Sequence, residues 1–357
     1  MKQHNFSAGP AILPKTVFEQ AAEAAVNYNN IGLSIMEISH RSPEFSAVLD
    51  EAQVLVRDLM GVSEEYAVLF LQGGASSQFF MTAMNLLGQS AGYVDTGSWS
   101  AKAIKEAEAF GKVHVLASSK ADNYTHIPKG YDIPDELDYL HITTNNTIFG
   151  TQFKTLPETG VRLVADMSSD IFSKPVDVDR FDVIYAGAQK NMGPAGVTLV
   201  IVRKDALGKV ERHIPTMLDY RTHIKKNSAF NTPPVYPIFV SMLTLRWVKA
   251  NGGLDTMHKR NAEKAALMYK AIDENPLFRG TVTDKTDRSI MNATFLMTEG
   301  KEALGQEFLA ACKAAGCSGV KGHRSVGGFR ASMYNAMDLE SVQVLTGVMK
   351  DFSEKHG

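Results

Sequence analysis

Short, almost unbroken apolar runs alternate with amphipathic stretches from about residue 66 to about residue 202. Seven of the runs have the length of a strand, and their continuous apolar character suits strands that are covered on both faces. Helical patterns separate several of them, such as residues 100–110, which Gly111 follows. This alternation predicts a mainly parallel sheet with right-handed crossovers. The predicted strands are residues 66–72, 92–96, 113–117, 140–144, 161–165, 183–186 and 197–202.

Helices are predicted on both sides of this strand region. Ser42-Pro43-Glu44 offers an N-cap, a first helical position and an acidic first turn, and Gly61 suits the end of that helix. Two long helices, at about residues 236–250 and 255–273, are expected to carry the chain out of the sheet. Beyond them the pattern predicts strands near 290–297 and 328–334 and helices near 302–315 and 339–353.

The domain organisation follows from length and pattern. A chain of 357 residues exceeds the size at which one hydrophobic core usually stops growing, so two domains are expected. The pattern changes near Gly252-Gly253. We therefore predict an α/β fold with a large domain at residues 15–252, built on a mainly parallel central sheet. The predicted small α+β domain combines residues 1–14 with residues 253–357.

Composition and charge exclude several classes of protein. With 44% apolar and 21% charged residues the chain is of ordinary globular type, and a net charge of −2 gives no basic field for nucleic acid or anionic lipid. No apolar run approaches the roughly 18 residues of a membrane-spanning helix, and the first nine residues do not resemble a signal peptide. The two cysteines, Cys312 and Cys317, suit neither a disulfide framework nor a zinc site, so we expect a cytoplasmic location and no metal.

The most informative segment is Ala186–Gly196, AGAQKNMGPAG, directly after a predicted strand. A lysine in such a turn is often an ordinary surface residue. However, Asp166 lies 24 residues before Lys190, at the end of another predicted strand. In a parallel sheet both side chains emerge at the carboxyl edge, where ligands of open α/β sheets bind. A lysine and a carboxylate there suit pyridoxal 5′-phosphate: Lys190 holds the aldehyde as a Schiff base and Asp166 keeps the pyridine nitrogen protonated.

A glycine-rich turn, Gly73-Gly74-Ala75-Ser76-Ser77, separates the strand that ends at Gln72 from a helix predicted at residues 78–87. Glycines let a phosphate approach the backbone, and free amides at a helix N-terminus bind it. The segment matches neither the GxxxxGK[ST] motif of nucleoside-triphosphate binding nor the GxGxxG dinucleotide motif. It therefore indicates the phosphate end of a different cofactor, although such turns are common.

Together, the phosphate turn, Trp99, Thr147, Asp166 and Gln189-Lys190 form an ordered series that resembles the fold-type I aminotransferases. Other segments resemble the signatures of the phosphoserine aminotransferase family of class V, and the resemblance runs from residue 5 to about residue 350. These segments are Asn5–Pro10 (NFSAGP), His40–Pro43 (HRSP), Asn231–Pro234 (NTPP) and Gly322–Ser332 (GHRSVGGFRAS).

The resemblance implies a role for each cofactor residue. Lys190 is the Schiff-base lysine and proton shuttle, Asp166 pairs with the ring nitrogen, Trp99 stacks on the ring, and Thr147 supports the polar edge of the cofactor. Its phosphate contacts Gln189, the backbone of Ala75 and the side chain of Ser76, where many family members have arginine. The partner subunit of a homodimer contributes Asn231 and Thr232.

The resemblance also implies where the substrate binds. Arg330 takes the α-carboxylate, and this agrees with the use of arginine for planar carboxylates. The distal anion of the substrate is surrounded by Ser7, His40, Arg41, His323 and Arg324.

The implied reaction is a reversible transamination between L-glutamate and 3-phosphohydroxypyruvate, which gives O-phospho-L-serine and 2-oxoglutarate and serves serine biosynthesis. Formation of 4-phosphohydroxythreonine, for pyridoxine biosynthesis, stays open as a second activity. The alternatives are another class-V aminotransferase, a cysteine desulfurase and a non-catalytic pyridoxal-phosphate carrier. A desulfurase needs a mobile cysteine and typically a histidine before the lysine, where this chain has Gln189. A carrier has no need of Arg330 and a distal anion cluster.

Overall fold

The computed structural model describes residues 2–357. The first half of the chain builds the central sheet and the helices around it. Its elements are β1 (His4–Asn5), α1 (Lys15–Val26), α2 (Pro43–Met60), β2 (Tyr66–Leu71), α3 (Gly74–Leu86), β3 (Ser90–Asp95), α4 (Ser98–Ala107), β4 (Lys112–Ser118), β5 (Leu140–Thr143), β6 (Leu163–Asp166), β7 (Phe181–Gly187) and β8 (Thr198–Arg203).

The second half is richer in helix. Its elements are α5 (Tyr220–Lys225), α6 (Val235–Ala250), α7 (Gly253–Asp273), β9 (Phe278–Gly280), β10 (Asn292–Met297), α8 (Gly305–Ala314), β11 (Cys317–Ser318), β12 (Phe329–Ser332) and α9 (Leu339–His356).

The seven predicted strands form one sheet in the order β2-β8-β7-β6-β5-β3-β4. Every neighbouring pair is parallel except those of β8, which runs antiparallel to both β2 and β7. The predicted α/β class with a mainly parallel sheet is therefore confirmed. Because β2, β3, β5, β6 and β7 run in the same direction, their carboxyl ends meet at one edge of the sheet.

Both faces of the sheet are covered by helices, as the continuous apolar strands require. Side chains of α1, α2 and α6 pack on one face, and those of α3, α4 and α5 pack on the other. The start of α2 is as predicted: the Ser42 hydroxyl accepts from the amide of Phe45 at 3.3 Å, and Pro43 is the first helical residue. Gly61 ends this helix at a φ of +66°, a conformation that favours glycine.

The start of helix α3 differs from the sequence prediction, and this changes where the predicted phosphate-binding residues lie. The predicted helix at residues 78–87 begins at Gly74, because the amide of Ser77 already donates to the carbonyl of Gly73 at 3.4 Å. Ala75 and Ser76 therefore lie inside the first helical turn and not in a loop before it. Glycine at 73, with a φ of +95°, allows the strand to turn into the helix without a linker.

A second apolar cluster lies between α7, α8, α9 and the three-stranded sheet β9-β10-β12. Phe6 packs into this cluster, and β1 pairs in parallel with β11. Helix α7 serves both clusters: Met257 is part of the first and Met268 is part of the second. This packing is compatible with the predicted division at residues 252–253, and the domain bounds stay our proposal.

Lys264 of α7 is a buried cation with only 1% of its surface exposed. Its Nζ donates to the carbonyls of Met333, Tyr334 and Met337 at 3.0, 2.7 and 3.0 Å. Among residues 2–357 it has no carboxylate partner within ion-pair distance. Burial lowers its pKa to about 7. The side chain therefore ties α7 to the segment that follows β12.

Replacing Lys264 with methionine is expected to lower the free energy of unfolding by about 2–4 kcal/mol, because buried carbonyls lose their donor. Denaturant unfolding of the purified protein measures this. Lys259→Met is the matched control, since Lys259 is exposed on the same helix. Equal stability of the two variants would contradict the proposed tie.

Candidate active site

The carboxyl edge of the sheet collects the predicted cofactor residues. Asp166 is the last residue of β6, and Lys190 lies three residues beyond the end of β7. Thr147 follows β5, and Trp99 lies in the first turn of α4, just after β3. The parallel direction of these strands places all four residues at one edge, as the sequence pattern predicts.

Lys190 has a polar neighbour on one side and an aromatic ring nearby. Its Nζ donates to the hydroxyl of Thr147 at 2.8 Å and lies 5.7 Å from the centre of the Trp99 ring. Burial, the largest cause, and the charge of Arg330 lower the pKa of Lys190 to about 8, and Asp166 opposes this shift. An amine with a pKa near 8 is neutral in a useful fraction at physiological pH, which both Schiff-base formation and proton transfer require.

Asp166 is 5% exposed, and its Oδ1 accepts from the amide of Ser168 at 2.9 Å. Burial raises the pKa of this carboxyl group. Among residues 2–357 it forms no ion pair within 4.0 Å, although the charge of Lys190 is near enough to act on it. A buried carboxylate that lacks a close cation suits the protonated nitrogen of a pyridine ring, so the residues present fit pyridoxal phosphate.

Trp99 is held by the start of its helix. The Ser100 hydroxyl accepts from the amides of Thr96 and Gly97, both at 2.9 Å, and donates to Asp95. The indole Nε1 of Trp99 is buried and has no hydrogen-bond partner among the described residues. The backbone that carries Trp99 is thus held at the start of α4, and the indole N–H is free to donate a hydrogen bond to a bound group.

The N-terminus of α3 offers the predicted phosphate site. The amides of Gly74, Ala75 and Ser76 have no hydrogen-bond partner within residues 2–357. They point out of a helix of 13 residues, so the helix dipole favours an anion there. The amide side chain of Gln189, next to Lys190, is also without a partner in the described chain.

Asn231 and Thr232 lie close to the same turn of their own chain. Asn231 lines a cavity of about 220 Å³ together with Gly73 and Ser77. The carbonyl of Thr232 accepts from the side chain of Gln72 at 3.1 Å. Their role at the partner subunit's phosphate stays a proposal.

Arg330 lies on β12 of the three-stranded sheet, and its side chain reaches the same site. Its guanidinium donates to the carbonyl of Thr147 at 3.2 Å, and its Nε is buried without a partner among residues 2–357. Burial together with the charges of Arg330 and Arg324 lowers the pKa of His323. The structure therefore brings Arg330, His323 and Arg324 into one electropositive cluster.

The other predicted substrate residues are less closely joined to this cluster. Ser7 packs against Gly319, before the loop that carries His323. His40 has a buried Nε2 without a partner in the described chain, and Arg41 is exposed. Within residues 2–357, no hydrogen bond or ion pair links His40 or Arg41 to the rest of the site.

Two residues near the site, Lys102 and Gly9, are not among the site residues that the sequence predicts. Lys102 lies one turn after Trp99, and its Nζ is 4.4 Å from the centre of that ring. Its charge also lowers the pKa of His323. The helical spacing of three residues is the signal that points to Lys102. Gly9 packs against Lys190, since a Cβ atom there would lie 3.1 Å from Cγ of the lysine.

Arg330→Gln is expected to raise the pKa of Lys190 above about 8, because it removes a positive charge that disfavours the ammonium form. The amine should then react more slowly at a pH near 8. Labelling of Lys190 by trinitrobenzenesulfonate in the cofactor-free protein, measured against pH, checks this. Arg330→Lys keeps the charge and is the control. An unchanged pKa in Arg330→Gln would show that burial alone lowers the pKa.

Residues 2–357 contain no group of three or more histidine, cysteine or acidic side chains placed to hold a metal ion. Among the same residues, no helix combines the length and apolar character needed to cross a membrane.

Known proteins resemble this chain over its whole length. The family described as aminotransferase class-V matches residues 3–345. The phosphoserine aminotransferase of Parabacteroides distasonis is 56% identical over 356 residues and covers 100% of both chains. That of Flavobacterium johnsoniae is 56% identical and covers 99% of this chain and 100% of its own.

Solved structures agree with these relatives. The phosphoserine aminotransferase from Bacillus circulans subsp. alkalophilus has a TM-score of 0.96 at 48% identity and covers 100% of this chain and 99% of its own. The pyridoxal-phosphate-bound enzyme from Trichomonas vaginalis has a TM-score of 0.93 at 36% identity and covers 98% of this chain and 100% of its own. The chain therefore belongs to the class-V aminotransferases, which depend on pyridoxal phosphate, and within them to the phosphoserine aminotransferase family.

Proposed function

We propose that the protein catalyses the reversible exchange of an amino group between L-glutamate and 3-phosphohydroxypyruvate, giving 2-oxoglutarate and O-phospho-L-serine. The observation that carries this proposal is that Lys190 and Arg330 both donate hydrogen bonds to the same residue, Thr147. Thr147 accepts from Lys190 through its hydroxyl and from Arg330 through its carbonyl. An amine that can move a proton therefore lies beside a guanidinium that can hold a carboxylate.

The residues divide the chemical work. Bound pyridoxal phosphate supplies an electron sink for the negative charge that forms at the substrate Cα. Lys190 would take the proton from the substrate Cα and would return it to C4′ of the bound cofactor. Asp166 holds the proton on the pyridine nitrogen, and Trp99 fixes the plane of the ring. The α3 amides, Gln189 and the hydroxyl of Ser76 anchor the phosphate, with Asn231 and Thr232 assigned to the partner subunit's site.

The substrate class follows from two anion sites. Arg330 holds the α-carboxylate that all amino-acid substrates share. His323 and Arg324 hold the distal anion, with Ser7, His40 and Arg41 as further proposed contacts. Glutamate and phosphoserine both place an anion at a similar reach beyond Cα, so one cluster serves both half-reactions.

Cysteine desulfurase chemistry has no support in the small domain. Cys312 and Cys317 are buried in its apolar cluster. Burial raises the pKa of these thiols to about 12 and about 11. A catalytic cysteine needs an exposed thiolate, so neither residue suits that role.

We assign the enzyme to a homodimer and to the cytoplasm. Several large apolar side chains are exposed on one chain, and a second copy would cover such side chains. A dimer would also explain why His40 and Arg41 make no contact with the cluster of their own chain. The exposed apolar residues near the N-terminus are Phe18, Val26, Ile31, Leu33 and Met36.

The direct test is an assay of amino transfer from glutamate to 3-phosphohydroxypyruvate, followed by the appearance of O-phosphoserine and 2-oxoglutarate. Transfer to 3-phosphohydroxypyruvate no faster than to pyruvate would contradict the proposal. The same assay run with the longer phosphorylated keto acid tests the open second activity, the formation of 4-phosphohydroxythreonine.

Arg324→Ala should weaken kcat/KM for phosphoserine by about 10- to 150-fold, since one charge-assisted hydrogen bond is worth roughly 1.5–3 kcal/mol. It should spare alanine, which has no distal anion. Comparison of kcat/KM for the two amino acids measures the difference. Equal losses for both would show that Arg324 has another role.

A further inference from the structure

Asn335 lies where three functional segments of the chain meet. It follows β12, five residues after Arg330. Its backbone amide donates to Oδ1 of Asn191, the residue next to Lys190, at 2.8 Å. One hydrogen bond therefore joins the strand of the proposed carboxylate site to the turn of the proposed catalytic lysine.

The side chain of Asn335 reaches the third segment, which begins at Asp166. Its Nδ2 donates to the carbonyl of Phe172 at 2.8 Å. Asn191 supports the same turn, because its Nδ2 donates to the carbonyl of Ile171 at 2.6 Å. Residues 167–173 thus connect Asp166 to both asparagines.

The backbone of this turn is strained at Phe172, so the hydrogen bonds that stabilise the turn matter for its conformation. Phe172 is 1% exposed and has a φ of +58°, a conformation that a bulky residue rarely adopts. Such a conformation is energetically unfavourable and persists only where the surrounding structure stabilises it. The side-chain amide of Asn335 helps to stabilise this conformation, because it donates directly to the carbonyl of Phe172.

The side chain of Asn335 is itself held by a hydrogen bond from helix α7. Its Oδ1 accepts from the side chain of Asn261, on α7, at 2.8 Å. Asn191, Asn261 and Asn335 are 4%, 0% and 5% exposed, so water does not compete for these bonds. Both polar atoms of the Asn335 side chain have a partner, because its Nδ2 donates to Phe172 and its Oδ1 accepts from Asn261.

We propose that Asn335 is a positioning residue that sets the places of Lys190 and Asp166 relative to Arg330. The inference rests on the roles assigned to these three residues in the proposed function. Asn335 touches none of the reacting atoms. Its side chain acts through the turn of Phe172, whereas its bond to Asn191 comes from the backbone amide and is kept when the side chain is replaced. Loss of the side chain should disturb the alignment and lower turnover more than substrate binding.

Asn335→Ala tests this in the cofactor-loaded enzyme. We expect kcat with glutamate to fall about 10- to 100-fold with little change in KM, because a misplacement of about 1 Å can cost about 100-fold. In the cofactor-free protein, the pKa of Lys190, measured by trinitrobenzenesulfonate labelling, should shift downward as Asp166 moves away from the amine.

Asn85→Ala is the matched control. Asn85 is another buried asparagine, and its side chain makes three hydrogen bonds, to Met81, Leu218 and Tyr220, away from Lys190. It should cost comparable stability and leave both kcat and the pKa of Lys190 unchanged. If the two variants lost kcat equally, or if the Lys190 pKa stayed at its wild-type value in Asn335→Ala, the positioning role would be overturned.

A second variant covers the case in which Asn335→Ala does not fold. Asn261→Ala removes the donor to Oδ1 of Asn335, and with it a 3.3 Å hydrogen bond from the same Nδ2 to the carbonyl of Ser173. The direct bond from Asn335 to Phe172 remains, so the same changes should appear with smaller size, and their absence would overturn the proposal. Failure of the wild-type enzyme to transfer amino groups to 3-phosphohydroxypyruvate would instead contradict the proposed function. The Lys190 titration would still decide the positioning role.

Discussion

Replacing Lys190 with alanine is expected to lower transamination by at least about 1,000-fold, because the variant loses both its covalent link to the cofactor and its proton carrier. Reduction of the wild-type enzyme with borohydride should fix the cofactor permanently to Lys190. Peptide mapping by mass spectrometry locates the label, and the steady-state rate measures the loss.

The chain provides a stringent control for this result. Burial also lowers the pKa of Lys154 to about 8 and that of Lys264 to about 7, so lowered basicity alone does not single out Lys190. Of these three buried lysines, Lys190 is the one that lies near both Asp166 and the Trp99 ring. Lys154→Ala should keep the label and the activity. A label on Lys154 or Lys264 in the wild-type enzyme would end the assignment of Lys190.

Mixing two inactive variants is expected to restore about a quarter of wild-type activity if Thr232 serves the partner subunit's site. Thr232→Asp should expel the cofactor phosphate by like-charge repulsion, and Lys190→Ala disables its own subunit. After random reassortment of equal amounts, about half of the dimers are mixed. Each mixed dimer has one site with intact Lys190 and intact Thr232. Activity measured after verified subunit exchange gives the answer.

The reciprocal mixture sharpens the test. A chain that carries both substitutions is mixed with wild-type chains. With shared sites the mixed dimers are inactive and about a quarter of the activity remains, whereas sites contained in one chain would leave about half. No recovery in the first mixture, together with half activity in the second, would place Thr232 in the site of its own chain.

The sheet and the lysine turn were predictable because local pattern determines them. Continuous apolar runs indicate buried strands. Because the carboxyl ends of parallel strands lie at one edge of the sheet, the sequence alone was enough to place Asp166 and Lys190 in the same site. The reversed direction of β8 could not be predicted in this way. Its apolar run has the same character as those of its parallel neighbours, and direction depends on the path of the connecting chain.

The supporting residues were harder to find, for a physical reason. Asn191 and Asn335 are 144 positions apart, and asparagine in a loop usually indicates only a turn. Lys264 lies on an amphipathic helix, where a lysine normally faces solvent. Its buried place depends on three carbonyls about 70 residues later in the chain. Such contacts follow from the assembled fold and leave no periodic signal.

The pairing of β1 with β11 has a consequence for how the enzyme folds. His4 lies opposite Cys317, so the beginning of the chain must wait for a segment more than 300 residues later. Closing such a long loop is entropically unfavourable and slow, and a new chain emerges from the ribosome at roughly 5–20 residues per second. We expect the central sheet to form first and the segment around Gly9, which packs on Lys190, to dock last. Competence for cofactor binding should therefore appear late in folding, after most of the secondary structure.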